Sequence, residues 1–391
     1  MAAMEKNNKN LNVPNLRFPE FSGEWEKCSL NDISTIYGRI GFRGYTVADI
    51  VEKGEGAIAL SPTNIDSNCL TYEKDNTYIS TYKYEESPEI KIFAGDIIFV
   101  KTGSTVGKVA FVDNIIDRTT LNPQLVVLKQ VKCNPYFLYL LMAAPCFQKH
   151  IKRITVGGAV PTLSQNEMGR IGITLPPNAE QDRISALFKL LNYRIETQKK
   201  IIEDLKKLKD AIRAKLFRHI ESTCSVYDEI RNMLDYEQPS EYLVNSTEYS
   251  DNYQTPVLTA NKAFILGYTD ETYGIYAKGD CIILDDFTMD VKYVTFPFKV
   301  KSSAIKILIA KQHVDLYFMY EYLLYLGLVS EEHKRHYISE IEPMNIVSPP
   351  LETQKHIALT LQTISRKIEN ATSFYGLLSK QKQYLLNQLF I

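Results

Sequence analysis

The 391-residue chain has no Cys-x-x-Cys pair, no long apolar run and no excess of charge of either sign. Its six cysteines (Cys28, Cys69, Cys133, Cys146, Cys224 and Cys281) are scattered. A disulfide framework or zinc ribbon is therefore not expected, and a reducing cytoplasm is the natural setting. A membrane span needs roughly 18 apolar residues; the best stretch, Tyr136 to Phe147, has 12 and contains Pro145. The first residues are polar and show no apolar signal core. A net charge of −1 speaks against a general basic coat, and so against indiscriminate electrostatic binding along nucleic acid.

What charge there is, is segregated. Residues 218–348 carry −9, whereas 1–179 carry +1, 180–217 carry +4 and 349–391 carry +3. Between Arg118 and Asn166 there is no acidic residue, but there are Arg118, Lys129, Lys132, Lys149, Lys152 and Arg153. Val291 to Gln312 is likewise acid-free and holds Lys292, Lys299, Lys301, Lys306 and Lys311. Such islands suit local contacts to a polyanion; a solvated face is the plainer reading.

The chain repeats itself. Residues 176–217 align without a gap on 349–390, at a constant offset of 173 and with 11 identities in 42 positions. Pro176-Pro177 matches Pro349-Pro350, Gln181 matches Gln354, and Leu216-Phe217 matches Leu389-Phe390. Apolar residues fall at Ile184, Phe188, Leu191, Ile195, Ile202, Leu205, Ile212 and Leu216. In the second copy they fall at Ile357, Leu361, Ile364, Ile368, Ala371, Leu378, Leu385 and Leu389. Steps near three and four make a coiled-coil seam. Each helix of about 38 residues would span roughly 57 Å. Asn178 with Gln181, and Thr353 in the second copy, are the expected helix-starting residues. Upstream, Gly95-Asp96-Ile97-Ile98 parallels Gly279-Asp280-Cys281-Ile282, and Tyr136-Phe137-Leu138-Tyr139 parallels Tyr317-Phe318-Met319-Tyr320. The predicted fold is α+β: two mixed α/β globules, residues 1–175 and 218–348, joined by long helices 176–217 and 349–391. The helices are expected to form an antiparallel coiled coil, giving a pseudo-twofold internal repeat.

Several ordered motifs then carry a resemblance. They are Leu16-Arg17-Phe18-Pro19-Glu20-Phe21-Ser22-Gly23-Glu24-Trp25, Lys101-Thr102-Gly103-Ser104-Thr105-Val106-Gly107-Lys108 and Gly158-Ala159-Val160-Pro161-Thr162-Leu163-Ser164. Thr255-Pro256-Val257-Leu258-Thr259-Ala260-Asn261-Lys262, continuing to Phe298-Lys299-Val300-Lys301-Ser302-Ser303, is a fourth. With the repeat, they make the chain resemble the specificity subunits of type I restriction–modification systems over nearly its whole length. The resemblance implies a cytoplasmic, non-catalytic, cofactor-free subunit that reads an asymmetric two-part sequence on double-stranded DNA. Each globule would be a target-recognition domain, with the helices as the ruler between them. Two methyltransferase subunits would dock on this frame, and restriction (helicase-nuclease) subunits would join them. The second copy lacks both glycine-containing loop motifs of the first, so contact residues carry over less directly there.

Gly103 to Lys108 is one residue short of a nucleotide-binding P-loop, and Val109 stands where Ser or Thr is needed. A turn presenting backbone N–H groups, Thr102, Ser104, Thr105, Lys101 and Lys108 to a DNA phosphate fits better; a plain hairpin with exposed lysines is the bland alternative. Arg39 and Arg43 sit in a glycine-rich stretch from which an arginine would reach guanine edges. In the second globule Lys299, Lys301 and Ser303 would share one strand face, with Ser302 and Lys292 beside them. Asn134-Pro135-Tyr136-Phe137 resembles the Asn-Pro-Pro-Tyr box of adenine methyltransferases without its second proline, and reads as a helix cap. His333-Lys334-Arg335-His336 has metal-like spacing without further ligands nearby, and Asp285-Asp286 reads as a polar loop. No catalytic, metal or cofactor constellation is expected. A coiled-coil scaffold with two protein-binding modules is the competing reading, and a stand-alone nuclease or methyltransferase the third.

Overall fold

The computed structural model describes residues 12–72, 76–155, 160–259, 264–329 and 336–391, the side chain of Phe42 aside. Gly158, Ala159, residues 260–262 and residues 333–335, all singled out above, lie outside the described residues. The chain forms two compact units, Met1–Thr197 with Tyr375–Ile391, and Gln198–Phe374.

The first unit contains β1 (Glu26–Ser29), β2 (Thr35–Gly38), β3 (Ile97–Val100), β4 (Val109–Phe111), β5 (Leu125–Lys129), helix α1 (Pro135–Ala143) and β6 (Gly172–Leu175). The long helix α2 (Asn178–Thr223) begins here. The main sheet has six strands: β2-β5-β3-β4, each antiparallel to its neighbour, then Cys69–Leu70, parallel to β4, and Ile65–Asp66 at the edge, while β1 pairs antiparallel with β6. Successive strand residues point to opposite faces, and here both faces are covered. Ile97 and Phe99 join Phe137, Leu141, Ile184, Phe188 and Phe390 in one core. Ile98 and Val100 join Ile58, Leu60 and Leu121 in another. The latter belong to an outer four-stranded sheet ordered Thr119–Leu121, Ala57–Leu60, Thr77–Ile79, Ile50–Val51. Double coverage is why the strands read as unbroken apolar runs rather than alternating ones.

In the second unit the corresponding elements are β7 (Tyr227–Glu229), β8 (Leu234–Glu237), β9 (Cys281–Asp285), β10 (Val291–Val294), β11 (Ile305–Ala310), α3 (Leu316–Leu326), β12 (Asn345–Val347) and the long helix α4 (Leu351–Gln388). The sheet order is β8-β11-β9-β10, again antiparallel throughout, with β12 on β7. Ile282, Leu284 and Leu308 face Phe318, Phe217 and Ile357. Cys281, Ile283 and Ile307 face Leu258, Tyr276 and Phe298. The outer layer differs: a three-stranded sheet ordered Ile265–Thr269, Thr255–Leu258, Lys299–Val300.

Small interactions recur with the same logic. Asn134 caps α1, its Oδ1 accepting the Phe137 N–H at 3.0 Å, and Asp315 caps α3 through the Phe318 N–H at 2.9 Å. Gln181 accepts the Asn134 N–H and donates to Pro176 O, at 2.9 and 2.8 Å. Gln354 accepts the Asp315 N–H and donates to Pro349 O, both at 2.9 Å. Three rings, Phe111, Tyr136 and Tyr139, meet with centroids 5.1–6.1 Å apart, as do Tyr293, Tyr317 and Tyr320 at 5.0–5.6 Å. The Tyr136 hydroxyl accepts from Asn192 Nδ2, and the Tyr317 hydroxyl bonds Ser365, the residue 173 positions on from Asn192.

Helix starts differ from the expectation. α2 begins at Asn178 and α4 at Leu351, so neither Asn178 nor Thr353 stands outside as a cap. The glutamines instead tie the preceding prolines to the neighbouring helix start. α2 also runs to Thr223, six residues past the expected Phe217. Ile184, Phe188, Leu191, Ile357, Leu361 and Leu378 are buried, while Ile195, Ile202, Leu205, Ile364, Ile368 and Leu385 are half-buried. Among the described residues no helix is long and apolar enough to cross a membrane, and no group of three His, Cys, Asp or Glu is arranged to hold a metal ion.

Candidate nucleic-acid interface

Residues 101–108 form the hairpin between β3 and β4, which are antiparallel neighbours. Gly103 and Gly107 sit at φ +105° and +99°, a conformation that side-chain-bearing residues avoid. The turn is closed on itself. The N–H groups of Val106, Gly107 and Lys108 donate to Gly103 O, Val100 O and Thr105 O at 3.0, 3.0 and 3.2 Å. Gly103 N donates to Pro161 O at 2.9 Å and Leu163 N to Lys101 O at 2.8 Å, with Thr102 bridged to Thr162. Two motifs about sixty residues apart in the chain thus make one rim. The expected cradle of free backbone N–H groups is corrected at these four positions, because each is spent inside the protein. Side chains remain: Ser104 and Thr162 are exposed, and Thr102 and Thr105 half-buried. Lys101 is half-buried and its ammonium has no hydrogen bond or ion pair among the described residues, whereas Lys108 Nζ donates to Ile65 O at 3.2 Å.

A neighbouring element adds charge. Gln148 Nε2 donates to Gly107 O at 2.8 Å, pinning the helix Pro145–Ile154 to the turn. Exposed Lys149, Lys152 and Arg153 lie on that helix. They were visible as part of an acid-free island, but nothing in the sequence joined them to the hairpin; Gln148 does.

Arg39 does not reach solvent. It is 4% exposed, and its guanidinium donates to Leu121 O at 2.8 Å, Thr120 Oγ1 at 3.1 Å and Arg43 O at 3.2 Å. Burial pulls its pKa down, partly offset by Tyr45 and by Glu86 and Glu89. It staples the segment after β2 to the outer sheet instead of approaching a base. Arg43 is about one-third exposed and pairs with Glu89 at 3.4 Å.

The second unit corrects the shared-face expectation. Its strand stops at Val300, and the Lys299 side chain is 0% exposed. The ammonium pairs with Glu271 at 2.7 Å, donates to Tyr273 O at 2.8 Å and lies 4.6 Å from the centre of the Tyr273 ring. Burial alone would raise the Glu271 carboxyl; the Lys299 hydrogen bond and the N–H groups of Ser246 and Asn245 hold it below its usual value. Lys301 is exposed near Tyr249, Ser302 accepts the Ala304 N–H at 3.1 Å, Ser303 is half-buried, and Lys292 is exposed on edge strand β10. Lys306, from the same acid-free run, is also buried, 3.2 Å from Asp286. Asp286 accepts the N–H groups of His336 and Tyr337 at 3.0 and 2.7 Å, so Asp285-Asp286 organises the interior rather than a loop surface.

Comparison with known proteins identifies a family, related sequences and similar folds. Residues 22–207 and 233–373 match the type I restriction modification DNA specificity domain. The specificity subunit of the type I restriction enzyme EcoR124I/EcoR124II of Escherichia coli is 40% identical over 167 residues, which is 39% of this chain and 41% of that protein's length. The putative MjaX specificity subunit of Methanocaldococcus jannaschii is 26% identical, covering 97% of this chain and 96% of its own. Among solved structures, the S subunit of a type I restriction-modification system from M. genitalium has a TM-score of 0.63 at 15% identity, over 97% of this chain and 99% of that one. A chain from a structural study of type I complex assembly and conformational transition gives 0.55 at 16%, over 94% and 97%. At these identities the two structures establish likeness of fold.

Proposed function

The chain belongs to the family of type I restriction modification DNA specificity domains, and from that premise we propose that it reads a bipartite, asymmetric site on double-stranded DNA for a type I restriction–modification complex. The observation that carries the reading is the contrast of layers. Both units share a four-strand antiparallel order in the inner sheet and the same capping contacts, but the first unit's sheet carries two further strands and the outer layers differ in strand number. One frame with two outer layers suits one enzyme partner used twice and two different base sequences. The outer layers and the loops beside them then form the target-recognition domains. Lys101, Thr102, Ser104, Thr105 and Lys108 face DNA in the first unit, and Lys292, Lys301, Ser302 and Ser303 in the second, with Arg43 at the margin. Arg39 and Lys299 act from inside, by holding their surfaces in shape.

The two long helices act as the spacer, paired antiparallel around a pseudo-twofold axis. Within the second unit Gln198 Nε2 donates to Ala371 O at 3.0 Å, and position 371 is the repeat equivalent of 198. A residue that meets its own equivalent stands where a twofold axis would pass. Ile212 and Ile357 share a core, as an antiparallel pairing about that point requires. Two methyltransferase subunits dock on the equivalent inner layers and methylate adenine, restriction subunits join them, and this chain supplies no chemistry. Methylome sequencing of cells with and without the gene tests the reading: a two-part methyladenine motif should appear only with it. Identical methylomes would overturn it.

A further inference from the structure

We propose that Gln124 reads an adenine in the half-site contacted by the first unit. This rests on the DNA-reading function proposed above and goes further by naming a base and the residue that recognises it. Gln124 is exposed, immediately before β5, and its carbonyl oxygen accepts the Lys101 N–H at 2.9 Å. It therefore stands on the rim that also carries Lys101, Ser104 and Thr162. Its backbone is held by a turn: Gln124 N–H donates to Asn122 Oδ1 at 2.9 Å, and Leu125 N–H to Asn122 O at 3.2 Å.

The same turn orients the side chain. Because Asn122 Oδ1 is committed to a backbone donor, its Nδ2 is the atom left to meet Gln124, and it donates to Gln124 Oε1 at 3.2 Å. Asn122 is 8% exposed, so the contact is anchored from the interior. The Gln124 amide is thereby kept from flipping. Its Oε1 keeps a second lone pair, and its Nε2 has no partner among the described residues. Gly103 leaves the approach open, since a first side-chain carbon there would stand 3.5 Å from Nε2. An acceptor and a donor side by side match the N6 amino group and N7 of adenine in the major groove. The hydroxyls and Lys101 around it suit the phosphates that set the register.

The test uses the full chain in its methyltransferase complex, with per-base methylation rates measured on a randomised site library. Gln124→Ala should lose about 5- to 100-fold of discrimination at a single A·T pair, with the base preferences at the other half-site unchanged. Gln124→Glu, which only accepts, should move that position towards cytosine. Asn122→Asp keeps the turn but removes the Nδ2 donor, and should weaken the same position alone. Unchanged discrimination in active Gln124→Ala overturns the assignment while leaving the general function standing. A uniform loss across all sequences also overturns it, by showing a phosphate or folding role. Failure of the wild-type complex to select any sequence would overturn the underlying reading instead.

Discussion

The hairpin joining β3 to β4 and the hairpin joining β9 to β10 occupy the same place in the four-strand order that the two inner sheets share, and they do different things with their polar residues. In the first unit the turn spends backbone N–H groups internally and leaves Lys101 and Ser104 at the surface. In the second, Asp285 accepts the N–H groups of Phe287 and Thr288 at 2.9 and 3.3 Å, and Asp286 is buried against Lys306. The same contrast separates Lys101 from Lys299, two lysines that the sequence presents alike. A repeated frame thus tolerates divergence where side chains leave the core, and keeps its contacts where the long helices pack. That is the pattern expected when one face serves a duplicated role and the other must distinguish two targets.

The largest effect should come from the frame. Inserting two residues near Glu203 rotates the helix by roughly 200° and should abolish methylation by the complex. Four residues rotate it by about 40° and add roughly 6 Å. Methylation should then persist, with the unread spacer longer by about one or two base pairs and both half-sites unchanged. An active four-residue insertion with the original spacer would show that the helices do not set it.

Next in size is Lys299→Met. Removing one partner of a buried pair leaves the other charge uncompensated, at a cost of roughly 3–5 kcal/mol, which denaturant melts would read. The pH dependence has a definite sign. Lys299 and the nearby N–H groups hold the Glu271 carboxyl below its usual value, so in the wild type this stability is present above the ordinary carboxylate pKa and lost as pH falls through the depressed one. In the variant the buried carboxyl loses its cation and its pKa rises, so the wild-type advantage should shrink as pH falls. A constant difference from pH 7 to pH 4 would contradict this account.

Gln181→Ala and Gln354→Ala probe what the units share. Each removes a side chain that satisfies a half-buried N–H and a proline carbonyl, a loss of about 1–3 kcal/mol. The two costs should agree to within about 0.5 kcal/mol; a large disparity would mean that the matching geometry carries unequal load. Lys101→Ala should be the mildest, with no change in melting temperature. The salt slope of DNA binding by the complex should fall by about one, without altered base preference. A changed motif would make Lys101 a base reader, and no change in either would leave the hairpin without a role in DNA contact.

Much of the architecture was legible because it rests on local periodicity. The long helices and the helix starting at Pro135 follow from apolar spacing and an Asn cap, all set by near neighbours in the chain. Candidate contact residues were less so. Arg39 and Lys299 sit in polar, glycine-containing stretches that suggest exposure. Each finds its partners at a distance, in Thr120 and Leu121 for one and in Glu271 and Tyr273 for the other.

What the amino-acid sequence determined alone is the repeat and its period, the helical and extended segments, and where basic islands and loop motifs lie. These depend on residue type and spacing over a few turns of chain. Only the tertiary structure decided which lysines and arginines face outward, that residues 101–108 and 160–164 meet at one rim, and that the Gln124 carbonyl joins this rim through the Lys101 N–H. A charged side chain is exposed or buried according to whether a distant partner repays its desolvation, and that partner is chosen by the packing of sheets, not by the neighbours in sequence.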